Sequence, residues 1–401
     1  MSEITAGTPQ LLRRVNAEAI LLVMRSTTAV TVTELIEATG LTRATVIAVC
    51  EDLEQRGWVR ELPNQRDFGG YQKGRPARRF ELNERAGYVL GVDVGVAKTT
   101  VVVADLRGTL QGRASQPFRS AEIPATERIE VIDRTAIAAL EDAGASPQDV
   151  MSVCVGIAAP VDRKGDVLVT QSFWGKFDVG LRSALTDLHG WNVLLENDAN
   201  LAALGERWRG SAVGIDDVVV ILASERFGSG VIEDGRLLRG SGGGFGEMAY
   251  LDLVEGVGDP FGIASLARRW AAEALASPAK TTLRPSAPGT EVEAEDVFAA
   301  AAAGDAVALA ILDRLSDRVA RVVATVSTMV NPELVVIGGG VAKSAGVLLE
   351  SVAERLPQLT ATPPRLAASP LGDAIVTVGA VRRALDHVEA NWLEMEPAAA
   401  S

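Results

Sequence analysis

The sequence predicts an α/β protein in two unequal parts: a small three-helix head closed by a β-hairpin, then a larger body of alternating strands and helices. Three observations predict it. Residues 1–85 are electrically balanced, with 12 Lys/Arg against 11 Asp/Glu, whereas the remainder holds 27 against 41. Near Gly87 the apolar pattern changes from short helical stripes to β-branched runs. Two such runs, Gly91-Val92-Asp93-Val94-Gly95 and Leu194-Leu195-Glu196-Asn197-Asp198, each deliver a carboxylate where a strand should end. The second continues into an Ala/Leu-rich helix through Glu206, and a strand end beside a helix start suits a site for hydroxyls or phosphates.

The totals narrow the class. A chain of 401 residues is too long for one core and suits two or three domains. The longest early apolar run, Ala19–Met24, is far too short to span a membrane and lacks the flanks of a signal peptide, so cytoplasm is expected. Only Cys50 and Cys154 occur, each inside an apolar run, which disfavours a disulfide framework. With two His and two scattered Cys, a dedicated zinc site has almost nothing to be built from. A net charge of −13 argues against nucleic-acid binding by the whole surface. It conceals a local basic cluster, however: Arg66, Lys73, Arg75, Arg78 and Arg79 against the single acid Asp67.

In the head, Leu12, Val15, Ala19, Leu22 and Val23 form a helical stripe. Thr31 or Thr33 can cap a second helix running to Thr39, and Gly40-Leu41 makes a tight turn. A third helix opens at Thr42 and stops at Gly57, with Val46, Val49, Cys50 and Leu53 facing inward. Two short helices joined through a glycine, the second beginning Thr-Arg-Thr, read as helix-turn-helix. In that geometry Thr42, Arg43 and Thr45 meet base edges. Residues 58–62 and 77–82 then form a hairpin around Gly69–Pro76, which fits a wing. Lys73 and Arg75 of this loop and Arg78 on the strand after it are further candidates for DNA contact, and the slim Gly74-Arg75-Pro76 backbone suits entry of Arg75 into a narrow minor groove.

In the body, residues 88–95 and 99–105 read as a hairpin, and 151–157, 218–222 and 334–338 as buried strands. The last ends in Gly338-Gly339-Gly340. On these residues the chain resembles the ROK family of repressors, uncharacterised reading frames and sugar kinases, from about residue 12 to about 390. The head resembles the winged helix-turn-helix of its repressors, and the body its actin-like fold of two α/β lobes. The resemblance implies a winged head over 1–85, a first lobe over 86–198 plus about 376–395, and a second lobe over 199–375. It also implies a sugar pocket. Gly156–Val161 matches the glycine-rich segment beside the sugar, and Asn197 and Asp198 match the pair that bonds sugar hydroxyls. Asp198 would be the base in a kinase, and Glu247 after Gly246 would accept from hydroxyls.

Several positions depart from the family pattern. Tyr250 stands where the family has a histidine that contacts sugar and zinc, and Gly256–Gly262 stands in place of the cysteine cluster, so no metal is expected. The first phosphate loop reads Asp93-Val94-Gly95-Val96-Ala97-Lys98, one glycine and one threonine short. The second reads Ser224-Glu225-Arg226-Phe227-Gly228-Ser229-Gly230. A phosphate cradle needs small residues with converging amides; Glu225 would set a like charge against it, at a cost on the order of 1–4 kcal/mol. Arg226 and Phe227 would fill its space. The expectation is therefore a non-catalytic regulator without zinc or ATP. It would bind a double-stranded DNA operator as a homodimer or homotetramer and sense a sugar or sugar phosphate through Asn197, Asp198, Glu247, Tyr250 and Gly156. Two readings compete with it: an active sugar kinase carrying a DNA-binding head, and a ligand-independent DNA-binding scaffold.

Overall fold

The computed structural model describes residues 9–63, 78–168, 173–276, 280–287, 290–340 and 346–397. The head holds α1 (Pro9–Ser26), β1 (Val30–Thr31), α2 (Val32–Thr39), α3 (Arg43–Gln55), β2 (Val59–Leu62) and β3 (Arg79–Leu82). Local chemistry sets its boundaries. Thr31 forms a full capping box with Glu34, Gly40 ends α2 at φ 69°, and the Thr42 hydroxyl accepts the amide of Thr45 to start α3. β3 pairs antiparallel with both β1 and β2, and α3 buries Val46, Val49, Cys50 and Leu53 as expected. The wing residues Gly69–Pro76, with Arg66, Lys73 and Arg75, lie outside the described residues.

The apolar stripe of α1 is placed differently from the sequence reading. Leu12, Val15 and Leu22 are more than half exposed, while Ala17, Ile20, Leu21 and Met24 are buried. Both faces of this helix are apolar, so periodicity alone does not select one. The face against α3 and β3 is the one that finds partners.

The body repeats one topology twice. Its first sheet has the order β6-β5-β4-β7-β8, from β4 (Tyr88–Val94), β5 (Lys98–Asp105), β6 (Leu110–Pro117), β7 (Val150–Ile157) and β8 (Val193–Asn197). Its second has the order β11-β10-β9-β12-β13, from β9 (Val218–Leu222), β10 (Gly228–Glu233), β11 (Arg236–Leu238), β12 (Leu334–Gly338) and β13 (Arg365–Ala368). Each is an antiparallel meander followed by two parallel strands. Helices α4 (Ala125–Ala143) and α5 (Leu181–His189) serve the first sheet, while α7 (Ile263–Leu275), α8 (Ala294–Ala302), α9 (Ala306–Val330) and α10 (Gly346–Leu359) belong to the second lobe.

Between the sheets run α6 (Asp198–Arg209) and α11 (Ile375–Asn391). They approach closely because Gly379 lies against the backbone of Leu201, and Gly205 against that of Ile375. A side chain at either glycine would strike main chain. Buried apolar residues continue from α6 and α11 into the head without a break. There the Trp58 and Trp392 rings meet edge to face at 4.9 Å, Arg56 donates to the Leu393 carbonyl, and Arg14 pairs with Glu394 at 2.6 Å. Among the described residues no helix is long and apolar enough to cross a membrane.

Candidate functional site

Parallel pairing brings the two strand-end carboxylates to one edge. Asp93 on β4 lies opposite Gly156 on β7, which lies opposite Glu196 on β8, so Asn197 and Asp198 follow one step beyond. Asp198 opens α6, and its carboxylate accepts the amide of Ala199 at 2.8 Å. Across the cleft, Glu247 is held by a backbone clasp: the Ser229 hydroxyl of β10 donates to the Gly246 carbonyl at 2.7 Å, and Gly246 sits at φ 81° against Ser229. Withdrawal from water pushes Asp198 up to about 8, with the nearby charges of Asp93 and Glu247 adding to the rise. Desolvation likewise lifts Asp93 to about 6, against the pull of Lys98, and raises Glu247, against the pull of Arg226. The cleft thus gathers three carboxyl groups whose affinity for protons is raised above the ordinary, a setting suited to bonding hydroxyls.

The other residues expected at the pocket have contacts of their own. Asn197 is the N-cap of α6: its Oδ1 accepts the Asn200 amide at 3.1 Å, and its Nδ2 donates to the Ala159 carbonyl at 3.2 Å. Gly156 is closely packed, since a Cβ there would collide with Leu201 of α6 and Val376 of α11. Tyr250 is 60% exposed and lies in a turn before Leu251.

The side chains of the segment Ser224–Gly230 are placed differently from the sequence reading. Glu225 turns away and pairs with Arg268 at 2.5 Å. Phe227 is buried in the core of the second lobe instead of filling the loop. Arg226 lies over Phe173 of the first lobe at 4.7 Å and near Phe261 of the second at 5.8 Å, bridging the two lobes. Sequence reading missed this sandwich, because neither aromatic is near Arg226 in the chain. Among the described residues the Ser224 hydroxyl, buried beside Gly339, has no hydrogen-bond partner. A separate cavity of about 670 Å³ opens next to Phe173 between Glu122, Arg128 and Lys176, and none of the three cleft carboxylates lines it.

In the head, Arg43 is exposed on the first turn of α3 and has no ion pair among the described residues. The Thr42 and Thr45 hydroxyls lie 2.9 Å apart on the same turn. Arg78, expected as a DNA contact beside the wing, is held by both oxygens of Glu61 and by Glu51. Both acids are brought to it by the fold of α3 and β2, which the local basic run does not reveal.

The residues do not fit a zinc ion. Tyr250 and Gly256–Gly262 supply neither imidazole nor thiolate, and Cys50 and Cys154 are buried in separate elements. Desolvation keeps both as thiols, pushing Cys50 up to about 12.

Comparison with known proteins gives the wider setting. The model of the ROK family matches residues 89–386, and that of the MarR family matches residues 12–67. The chain is similar to a glucokinase of Halalkalibacterium halodurans, 25% identical over 280 residues, covering 66% of this chain and 84% of that one. It is also similar to a xylose repressor of Caldicellulosiruptor bescii, 23% identical over 88% of this chain and 90% of the relative. Among solved structures, a ROK family transcriptional regulator, a homologue of the E. coli Mlc protein, superposes with a TM-score of 0.73 at 20% identity, covering 93% of this chain and 96% of that one. The fold is therefore α/β, with a winged helix-turn-helix head and a two-lobed, actin-like body.

Proposed function

From the premise that this chain belongs to the ROK family, we propose that it is a DNA-binding transcriptional regulator, in the manner of a repressor, that senses a sugar or sugar derivative in the cleft of a non-catalytic kinase-like body. The observation that carries this reading is the second phosphate loop. Arg226 bridges the lobes across it and Glu225 pairs with Arg268, so charged side chains stand where a phosphate cradle needs small residues.

The cleft reaches the head through one helix. α6 starts at Asp198 and ends at Trp208 and Arg209, a rise of roughly 18 Å. There Arg209 donates to the Gly108 carbonyl at 2.8 Å, and Trp208 packs on Gly108. The adjoining Arg107 donates to the Thr27 carbonyl at 2.6 Å and to those of Met24 and Arg25 at 3.1 Å, capping the end of α1. A ligand that bonds both Asp198 and Glu247 favours the closed cleft by its differential affinity, and α6 carries the change to the head. A palindromic operator would be read by two copies of the chain.

The test uses the full chain with a panel of neutral sugars and sugar phosphates. A ligand at about a hundred times its dissociation constant stabilises the fold by roughly 2.7 kcal/mol, and it should alter affinity for a duplex selected from a random pool. If duplex binding at moderate salt is weak and indifferent to sequence, the regulator reading fails. The kinase reading rests on Asp198, whose carboxyl near 8 suits a general base. ATP-dependent sugar phosphorylation that disappears in Asp198→Asn would put that reading first.

A further inference from the structure

A second concave site lies outside the cleft, where the edge strands of the two sheets face one another. A cavity of about 340 Å³ opens between Val193–Glu196 of β8 and Leu237 of β11. The turn Asp162–Gly165, Arg182 of α5 and Arg383 of α11 complete its wall. None of Asp93, Asp198 and Glu247 lines it.

Its charge is unusual for a chain of net −13. Both of its carboxylates are already engaged. Glu196, only 3% exposed, receives Arg239 through two nitrogens at 2.9 and 2.6 Å and the Asn200 side-chain amide at 3.0 Å. Asp162 accepts the backbone amides of Lys164 and Asp166 at 2.8 and 2.9 Å. That leaves Arg163, Lys164, Arg182 and Arg383, none with a carboxylate partner among the described residues. Arg182 donates to the Gly165 carbonyl, yet its Nε is buried without a hydrogen-bond partner among the described residues. A buried guanidinium N–H without an acceptor costs on the order of 1–3 kcal/mol. Uncompensated cations around one cavity call for an anion to supply the missing acceptors.

We propose that this cavity is a second ligand site and takes a compact, phosphate-bearing metabolite. Guanidinium forks match phosphate oxygens in pairs, and a dianion can engage several forks at once. The volume falls at the lower end of the range for small-molecule pockets, which excludes a peptide strand or a stretch of duplex as the occupant. The site is also placed to be felt elsewhere. Arg383 belongs to α11, whose next turns carry Glu389, paired with Arg25 of the head, and lead to Trp392 against Trp58.

The test is calorimetric titration of the full chain with inorganic pyrophosphate, which has no hydroxyls for the cleft, and then with a hexose phosphate, citrate and an unrelated DNA duplex. Pyrophosphate should bind saturably, one per chain, and more tightly than citrate. Arg383→Gln and Arg182→Gln should each weaken it roughly tenfold, the loss of one charge-assisted pair. The exposed Lys164→Gln, which no packing restrains, should weaken it less but measurably, whereas Glu247→Gln should leave it unchanged. Absence of saturable binding overturns the proposal, as does citrate binding as tightly as pyrophosphate. Loss of binding in Glu247→Gln but not in Arg383→Gln would assign the anion to the cleft. Displacement of pyrophosphate by the duplex would make the patch a DNA-backbone contact instead.

Discussion

Replacing Asp198 by Asn should abolish the pH dependence that this one side chain imposes on the fold. In the unfolded chain an aspartate ionises near 3.8, whereas in the fold Asp198 holds its proton up to about 8. Between those values the native state binds one more proton than the unfolded state, so stability falls as pH rises, by about 1.4 kcal/mol per pH unit. From pH 5 to pH 8 the wild type should therefore lose roughly 3–4 kcal/mol relative to Asp198→Asn, the slope easing near pH 8 where the carboxyl is half ionised. Asparagine keeps the shape and still offers Oδ1 to the Ala199 amide, so the two proteins should be of similar stability at pH 5. Asp93, lifted to about 6, slopes the same way in both proteins and cancels in the comparison. The assay is urea unfolding at each pH, followed through Trp174 and Trp191, which are buried in the first lobe. Parallel curves for the two proteins across this range would mean that Asp198 ionises like an exposed aspartate, and the cleft would then not be the dry, carboxyl-rich site described here.

Three further outcomes are expected. Glu247→Gln turns a charged acceptor into a neutral one, and bonds to charged groups are worth about 1.5–3 kcal/mol; sugar-induced change in operator affinity should weaken roughly tenfold while ligand-free operator affinity holds, as gel-shift titration would show. Trp392→Ala should cost about 3–5 kcal/mol at the junction and expose the head to limited proteolysis ahead of the body. Arg43→Ala should relax base preference at one operator position by about 1–3 kcal/mol, with little change in binding to unrelated duplex.

What the sequence revealed was mostly local. Thr31, Gly40 and Thr42 mark their helix ends by chemistry confined to a few neighbours, and the β4–β5 hairpin follows from alternating apolar runs. Asp93 and Asp198 were legible as a pair because both sit where parallel strands end. What was hidden depends on distant partners. The buried face of α1 is chosen by the elements packed on it, Arg78 is claimed by Glu51 and Glu61, and Gly156 serves the packing of α6 and α11. The bridge from Phe173 through Arg226 likewise exists only once two lobes face each other.

The contact between Trp58 and Trp392 also orders events in time. In synthesis Trp392 is added about 330 residues after Trp58. At about 5–20 residues per second, tens of seconds separate the two. Throughout that interval the nascent head emerges with one side of Trp58 uncovered, lacking the ring that closes its wall. The core of the head is thus completed only once the residues after α11 have been made, so the first module of the chain to emerge is among the last to be fully packed.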